Sequence, residues 1–152
     1  ASDVYKRQAY TGSTEDVQKS KEAAQAMIDK GVDLIGGGGN ASNAGMIKAC
    51  EEAGVYAFGE LEQQNLAPET VIFCNMNNIE NLVLQAVKDT IDGDFQGCIR
   101  EYGISADVAQ LTEYNSHVPQ EVKDKLAECM DQMRSGELDI PMITEISDDI
   151  IH

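Results

Sequence analysis

Four consecutive glycines, Gly36-Gly37-Gly38-Gly39, are the most suggestive chemistry in this sequence. They follow a short apolar run and precede a helical pattern. Glycine lets a backbone approach a ligand closely, because no side chain intervenes. Placed between a strand and a helix, Gly37, Gly38, Gly39 and Asn40 would present backbone N–H groups at a helix N-terminus. The run also satisfies G-x-G-x-x-A through Gly36, Gly38 and Ala41, a dinucleotide fingerprint. Glu60 then stands at the end of the next strand, where an acid would take a pair of ribose hydroxyls. Successive glycines satisfy many patterns, and the same residues would serve equally as a tight turn with no ligand. No Gly-Lys-Ser/Thr follows, so the run is not a P-loop.

Three other groups could contribute. Glu60 and Glu62 flank a strand end and could accept hydrogen bonds from a polyol, or be two solvated acids of an acidic chain. Asn75, Asn77 and Asn78 follow the next strand; Asn77 could offer an amide to a ligand, whereas Asn78 is read as a helix cap. Ser13 and Thr14 are read as caps that would also sit at the same sheet edge. Catalytic constellations are absent from the sequence. His117 and His152 have no Cys or His at metal-ligand spacing, and no G-x-S-x-G occurs. Cys50, Cys74, Cys98 and Cys129 form no C-x-x-C pair and fall on apolar faces or strands, so buried free thiols are the default reading and a disulfide the alternative. No catalytic residue, metal or cofactor is therefore assigned.

Alternating strand and helix signals must position these residues. Ser13-Thr14-Glu15-Asp16 reads as a helix start, with the helix running to Gly31. Val32–Ile35 is a strand, 41–53 a helix ended by Gly54, and Val55–Phe58 the next strand. A polar loop over 60–70 leads to a strand at Val71–Cys74. Ile79, Leu82, Val83, Ala86, Val87 and Ile91 then repeat at helical spacing up to Gly93. Cys98–Tyr102 is a further strand and Val108–Leu111 a weaker one. Pro119 opens a helix closed by Gly136, and Leu138–Ile143 is extended. Such alternation implies an α/β fold with a doubly wound, largely parallel sheet built near Val32, Val55, Val71 and Cys98, with helices on both faces.

Composition narrows the function classes. The chain has 152 residues with 42% hydrophobic and 25% charged, enough apolar content for one ordinary domain. Its net charge of -16 repels phosphate backbones and anionic lipids, so no nucleic-acid partner is expected. No apolar run approaches the roughly 20 residues of a membrane-spanning helix. Residues 1–8 read as foreign, since SDVYKRQ (Ser2–Gln8) is what a transposase mosaic-end sequencing adapter encodes in one frame. On that reading the chain is a C-terminal fragment, and the lack of a visible signal peptide carries no information about localisation.

Taken together, the segments resemble the basic membrane protein family, which includes the purine-nucleoside-binding lipoproteins of ABC importers. The resemblance runs from residue 9 to about 141. It rests on YTGSTED, KGVDLIGGGGNASNAGMIKACEEAGVYAFGE, LAPETVIFCNMNN, DGDFQGCIREYG and VPQEVKDKLAECMDQMRSGELDIP, in order and spacing together. It implies a type I periplasmic-binding-protein fold, in which two lobes close on a ligand through crossing strands. Residues 9–147 would be mostly the second lobe, about 71–95 the hinge crossover with a helix of the other lobe, and 148–152 a tail. The native first strand of this lobe would be cut, with Val4–Tyr10 as a chance replacement. Three ligand positions depart from the family pattern: Thr14 stands where an aromatic ring stacks on the base, Glu60 where an aspartate takes the ribose hydroxyls, and Asn77 where a lysine helps bind the sugar.

The resemblance implies a non-enzymatic, extracytoplasmic substrate-binding protein, membrane-anchored as a lipoprotein in its full-length form. Its partners would be a small polar, nucleoside-like ligand and an ABC permease. The ligand would meet Ser13, Thr14, Gly37, Gly38, Gly39, Asn40, Glu60 and Asn77. Two other readings remain at this point: an NAD-dependent oxidoreductase using the glycine run and Glu60, and a cytoplasmic ligand-sensing regulator of the same fold.

Overall fold

A computed structural model describes residues 7–141. Helix α1 spans Val17–Ile28, and its N-cap is Asp16, whose side chain accepts from the Lys19 N–H. The expected Ser13 cap lies one turn earlier: its Oγ accepts from the N–H groups of Glu15 and Asp16, at 3.2 and 3.1 Å. Strand β1 covers Leu34–Gly36 and helix α2 Ser42–Ala53, which ends on left-handed Gly54. Strand β2 is Tyr56–Glu60, and a 3-10 turn at Gln63–Leu66 precedes β3, Val71–Asn77. Helix α3 is Ile79–Asp92, capped by Asn78 as expected. Strand β4 is Ala109–Leu111, and helix α4 Gln120–Ser135.

The sheet order is β1-β2-β3-β4. The first three strands are parallel, in register Leu34↔Tyr56 and Ala57↔Val71. β4 runs antiparallel to β3, pairing Asn75↔Leu111 and Asn77↔Ala109. α1 and α2 cover one face. Ala57 and Gly59 of β2 point into that layer, where Ile35, Ile47, Cys50, Val71 and Cys74 form the core. Ser20 and Ala24 are the buried residues of α1, and small side chains there let it lie close to Gly45 of α2. On the opposite face Leu34, Tyr56 and Phe58 keep 43%, 42% and 37% of their surface exposed.

Several expectations are corrected. Cys98–Tyr102 forms no strand. Ile99 is 94% exposed, Arg100 is tied to Asp89 and to the Asp94 carbonyl, and β4 already occupies the free edge of β3. The fourth strand is therefore the weaker candidate near Val108. Of the four thiols only Cys50 and Cys74 are buried; Cys98 is exposed and Cys129 half-buried. Cys98 lost its cover with the missing strand. Residues 7–10 form no strand, so β1 is an edge of the sheet among the described residues, and Val4–Lys6 lie outside them. The extended segment expected at Leu138–Ile143 is described only to Pro141, and the tail at 148–152 lies outside the described residues. Apart from these corrections, α3, expected as a helix of the other lobe, buries none of its residues here, and Ile79, Val83, Leu84, Val87 and Ile91 are all exposed.

Candidate functional site

In a parallel sheet the loops leaving the strands' carboxyl ends gather along one edge. Here those are the loop after β1, the turn after β2 and the end of β3, joined by the segment that enters α1. Two contacts bind the α1 entry to the glycine loop. The Asn40 amide donates to the Glu15 carboxylate at 3.0 Å, and the Ser42 N–H donates to the Thr14 carbonyl at 3.0 Å. Ser13, Thr14 and Asn40 are thereby neighbours.

The glycines have different reasons to be glycine. A Cβ on Gly36 would overlap the Phe58 ring, which folds over it and stacks on Phe73 with centroids 5.7 Å apart. A Cβ on Gly37 would strike the Asn43 side chain, and one on Gly39 the Ser42 hydroxyl. Gly38 faces open space. Two of the four positions are thus shaped by side chains from the first turn of α2.

The N–H groups of that first turn are themselves engaged. Ser42 donates to Thr14, Asn43 to the Asn40 carbonyl at 3.4 Å, and Ala44 to the Ala41 carbonyl at 3.2 Å. The N–H groups expected to face a ligand, those of Gly37, Gly38, Gly39 and Asn40, take no part in these three bonds.

Two residues not singled out from sequence organise the region. Asn43, only 2% exposed, donates from Nδ2 to the Gly37 carbonyl at 3.3 Å and to Gln63 Oε1 at 3.2 Å. Gln63 Oε1 also accepts from the Glu60 N–H at 3.0 Å. A buried asparagine directly after a hydroxyl residue at a helix start was the available signal for Asn43. Gln63 had none, because its role depends on Leu61 adopting φ 55° and turning the chain back. The half-buried Glu60 carboxylate itself makes no hydrogen bond or ion pair among the described residues. Asn77 is exposed at the end of β3 and pairs with Ala109, on the side away from β2. No side-chain contact joins it to the other predicted residues.

A cavity of about 470 Å³ flanks β1, lined by Thr11, Leu34, Gly37, Gly38, Asn43 and Phe58 among others. That size suits a small molecule. Gly37 and Gly38 line it; Ser13, Thr14, Gly39, Asn40, Glu60 and Asn77 do not. Among the described residues no cluster of His, Cys, Asp or Glu is placed to hold a metal. Nor is any helix there long and apolar enough to cross a membrane.

The sequence pattern of the Bmp family, described as ABC transporter substrate-binding protein, PnrA-like, matches residues 2–144. The chain belongs to the Bmp family. This Bmp chain is 25% identical over 124 residues to a purine-binding protein of Brucella abortus, covering 81% of the chain and 35% of that relative. A solved transcriptional activator of the comK gene from Bacillus halodurans superposes with a TM-score of 0.77 at 22% identity, over 85% of the chain and 46% of that structure. A solute-binding protein of an ABC transporter system from Aeropyrum pernix gives a TM-score of 0.70 at 22% identity, over 93% and 48%. The Bmp chain therefore spans about a third of the first and about half of the other two. The structural likenesses establish the fold: a largely parallel sheet with flanking helices, as in half of a Bmp-type molecule.

Proposed function

We propose that this chain is the second lobe of an extracytoplasmic substrate-binding component of an ABC importer, anchored as a lipoprotein in its full-length form. The ligand is a small polar metabolite carrying vicinal hydroxyls, nucleoside-like, delivered to the permease by closure of the two lobes. The observation that carries the reading is the Glu60 carboxylate. It is half-buried and makes no hydrogen bond or ion pair among the described residues, at the edge where the β1, β2 and α1-entry loops meet. A carboxylate in that state suits a pair of ligand hydroxyls as hydrogen-bond acceptor. The purine-binding relative supports the nucleoside class.

The test is calorimetric titration of the full-length protein, wild type and Glu60→Gln, with adenosine, guanosine, inosine, glucose and NAD. A hydrogen bond to a charged group contributes about 1.5–3 kcal/mol, roughly ten- to hundredfold in affinity. The variant should lose that much for a nucleoside while keeping its fold. Unchanged affinity removes Glu60 from the site, and tight NAD binding restores the oxidoreductase. The likeness to a transcriptional activator favours one other reading, a ligand-sensing regulator. A helix-turn-helix upstream would support it, whereas a lipobox there supports the importer.

A further inference from the structure

We infer that Asn43 and Gln63 are positioning residues that couple the glycine loop to the Glu60 turn, so that the two loops hold one ligand geometry as a unit. The inference rests on the proposed binding role of Glu60 and deepens it. Gln63 Oε1 is shared: it accepts from Asn43 Nδ2 and from the Glu60 N–H. Asn43 Nδ2 is shared in turn, reaching the Gly37 carbonyl as well as Gln63. The chain Gly37 carbonyl–Asn43–Gln63–Glu60 N–H therefore spans from the end of β1 to the end of β2 through side chains alone.

Packing holds each member in place. Asn43 is buried, so its amide cannot turn to water without leaving the Gly37 carbonyl unpaired. A Cβ on Gly59 would stand 3.0 Å from Gln63 Oε1 and 3.2 Å from its Cβ, so Gln63 lies directly on the β2 backbone. The same close fit explains Gly37, whose missing side chain is the space Asn43 uses. The Leu61 N–H, which donates to the Asn75 carbonyl at 2.8 Å, ties the turn to β3. Glu60 is thus fixed by its backbone on both flanks while its carboxylate stays unengaged. Hydrogen bonds that polarise one another act as a network, so removing either amide should release the whole chain.

Backbone amide exchange of the 152-residue chain, read by NMR, tests the coupling without any ligand. Gln63→Leu should speed exchange at Glu60 about tenfold, the loss of one hydrogen bond, while the Cys50 amide in α2 stays protected. Gln63→Glu keeps an acceptor oxygen and should restore slow exchange. Asn43→Ala should also speed Glu60, although it does not touch that N–H, and the double variant should add little to either single change. Unchanged exchange at Glu60 in Gln63→Leu, or fully additive effects, would overturn the coupling. Titration of the full-length protein with adenosine then addresses the ligand. Weaker binding in Gln63→Leu with recovery in Gln63→Glu supports positioning, and equal affinity in all three refutes it. If the parent binds no adenosine while exchange responds as stated, the nucleoside reading fails and the coupling stands.

Discussion

At Gly45 the backbone of α1 leaves no room for a side chain, and replacing it with alanine should show how closely α1 rests on α2. A Cβ there would overlap the Val17 carbonyl oxygen, lie 2.9 Å from the Val17 carbonyl carbon and 3.1 Å from the Lys21 nitrogen. All three are backbone atoms of α1, so no side chain can rotate away. The helix itself would prefer alanine by about 1 kcal/mol. Against that gain stands overpacking, which costs about 1–3 kcal/mol and more where backbone must move. Relief requires α1 to shift outward, which would expose Ser20 and Ala24 and open the layer above Ile47 and Cys50. Gly45→Ala should therefore lose about 2 kcal/mol, or roughly 4–8 °C in melting temperature for a chain of this size. Urea unfolding followed by far-ultraviolet circular dichroism measures it. Gly38→Ala is the control, because its Cβ meets open space, and it should leave the midpoint nearly unchanged. A Gly45→Ala chain as stable as the parent would mean that the two helices do not approach as described.

The thiols and a helix cap supply three more expectations. Maleimide labelling of the native chain should modify Cys98 first and Cys129 more slowly, with Cys50 and Cys74 reacting only on unfolding. Burial pushes the Cys50 thiol up to about 11. Its neutral form is favoured by folding, so the stability it contributes is complete below about pH 8.5 and is lost as pH rises towards 11. A denaturation series across that window, compared with Cys50→Ala, measures the slope; parallel curves would contradict it. Asp16 is held below the usual carboxylate range mainly by the Lys19 N–H it caps. Its contribution is therefore present above about pH 3.9 and disappears as pH falls through the lowered value. Asp16→Ala should lower helicity at neutral pH and converge with the parent in acid.

Parts of this fold were legible because they depend on local pattern. Gly54, Gly93 and Gly136 end their helices in the left-handed region, where a turn signal and a backbone requirement coincide. The Val71 strand and the helix after it stand where their apolar spacing placed them, and Asn78 caps that helix. Cys98–Tyr102 misled because strand propensity is a matter of available partners, and the antiparallel return of Ala109–Leu111 had already taken the edge of β3. At the site, the convergence of the α1 entry with the glycine loop follows from sheet topology. The relay through Asn43 and Gln63 does not, since it joins residues 20 apart in sequence by side-chain geometry. Ser13 failed as a cap for a similar reason: Asp16 was an equally good acceptor one turn nearer the helix.

The antiparallel placement of β4 has a mechanical meaning. The chain leaves the sheet along β3 and returns along its immediate neighbour, and the Asn78 N–H closes the pair on the Val108 carbonyl at 2.7 Å. The segment between carries α3 with its exposed apolar side chains, and its end at 104–107 also rests on α4, where Arg134 pairs with Asp107 at 3.6 Å. The two-stranded β3–β4 ribbon is stiff to stretching and shear within its hydrogen-bonded plane, yet yields to bending out of it. A load applied to α3 would therefore reach the sheet through the β3–β4 ribbon and reach α4 through residues 104–107. The same adjacency makes 79–107 an excursion in the topological sense. A short turn between Asn78 and Val108 would leave the strand order intact, so the length of that excursion can vary without rewiring the core.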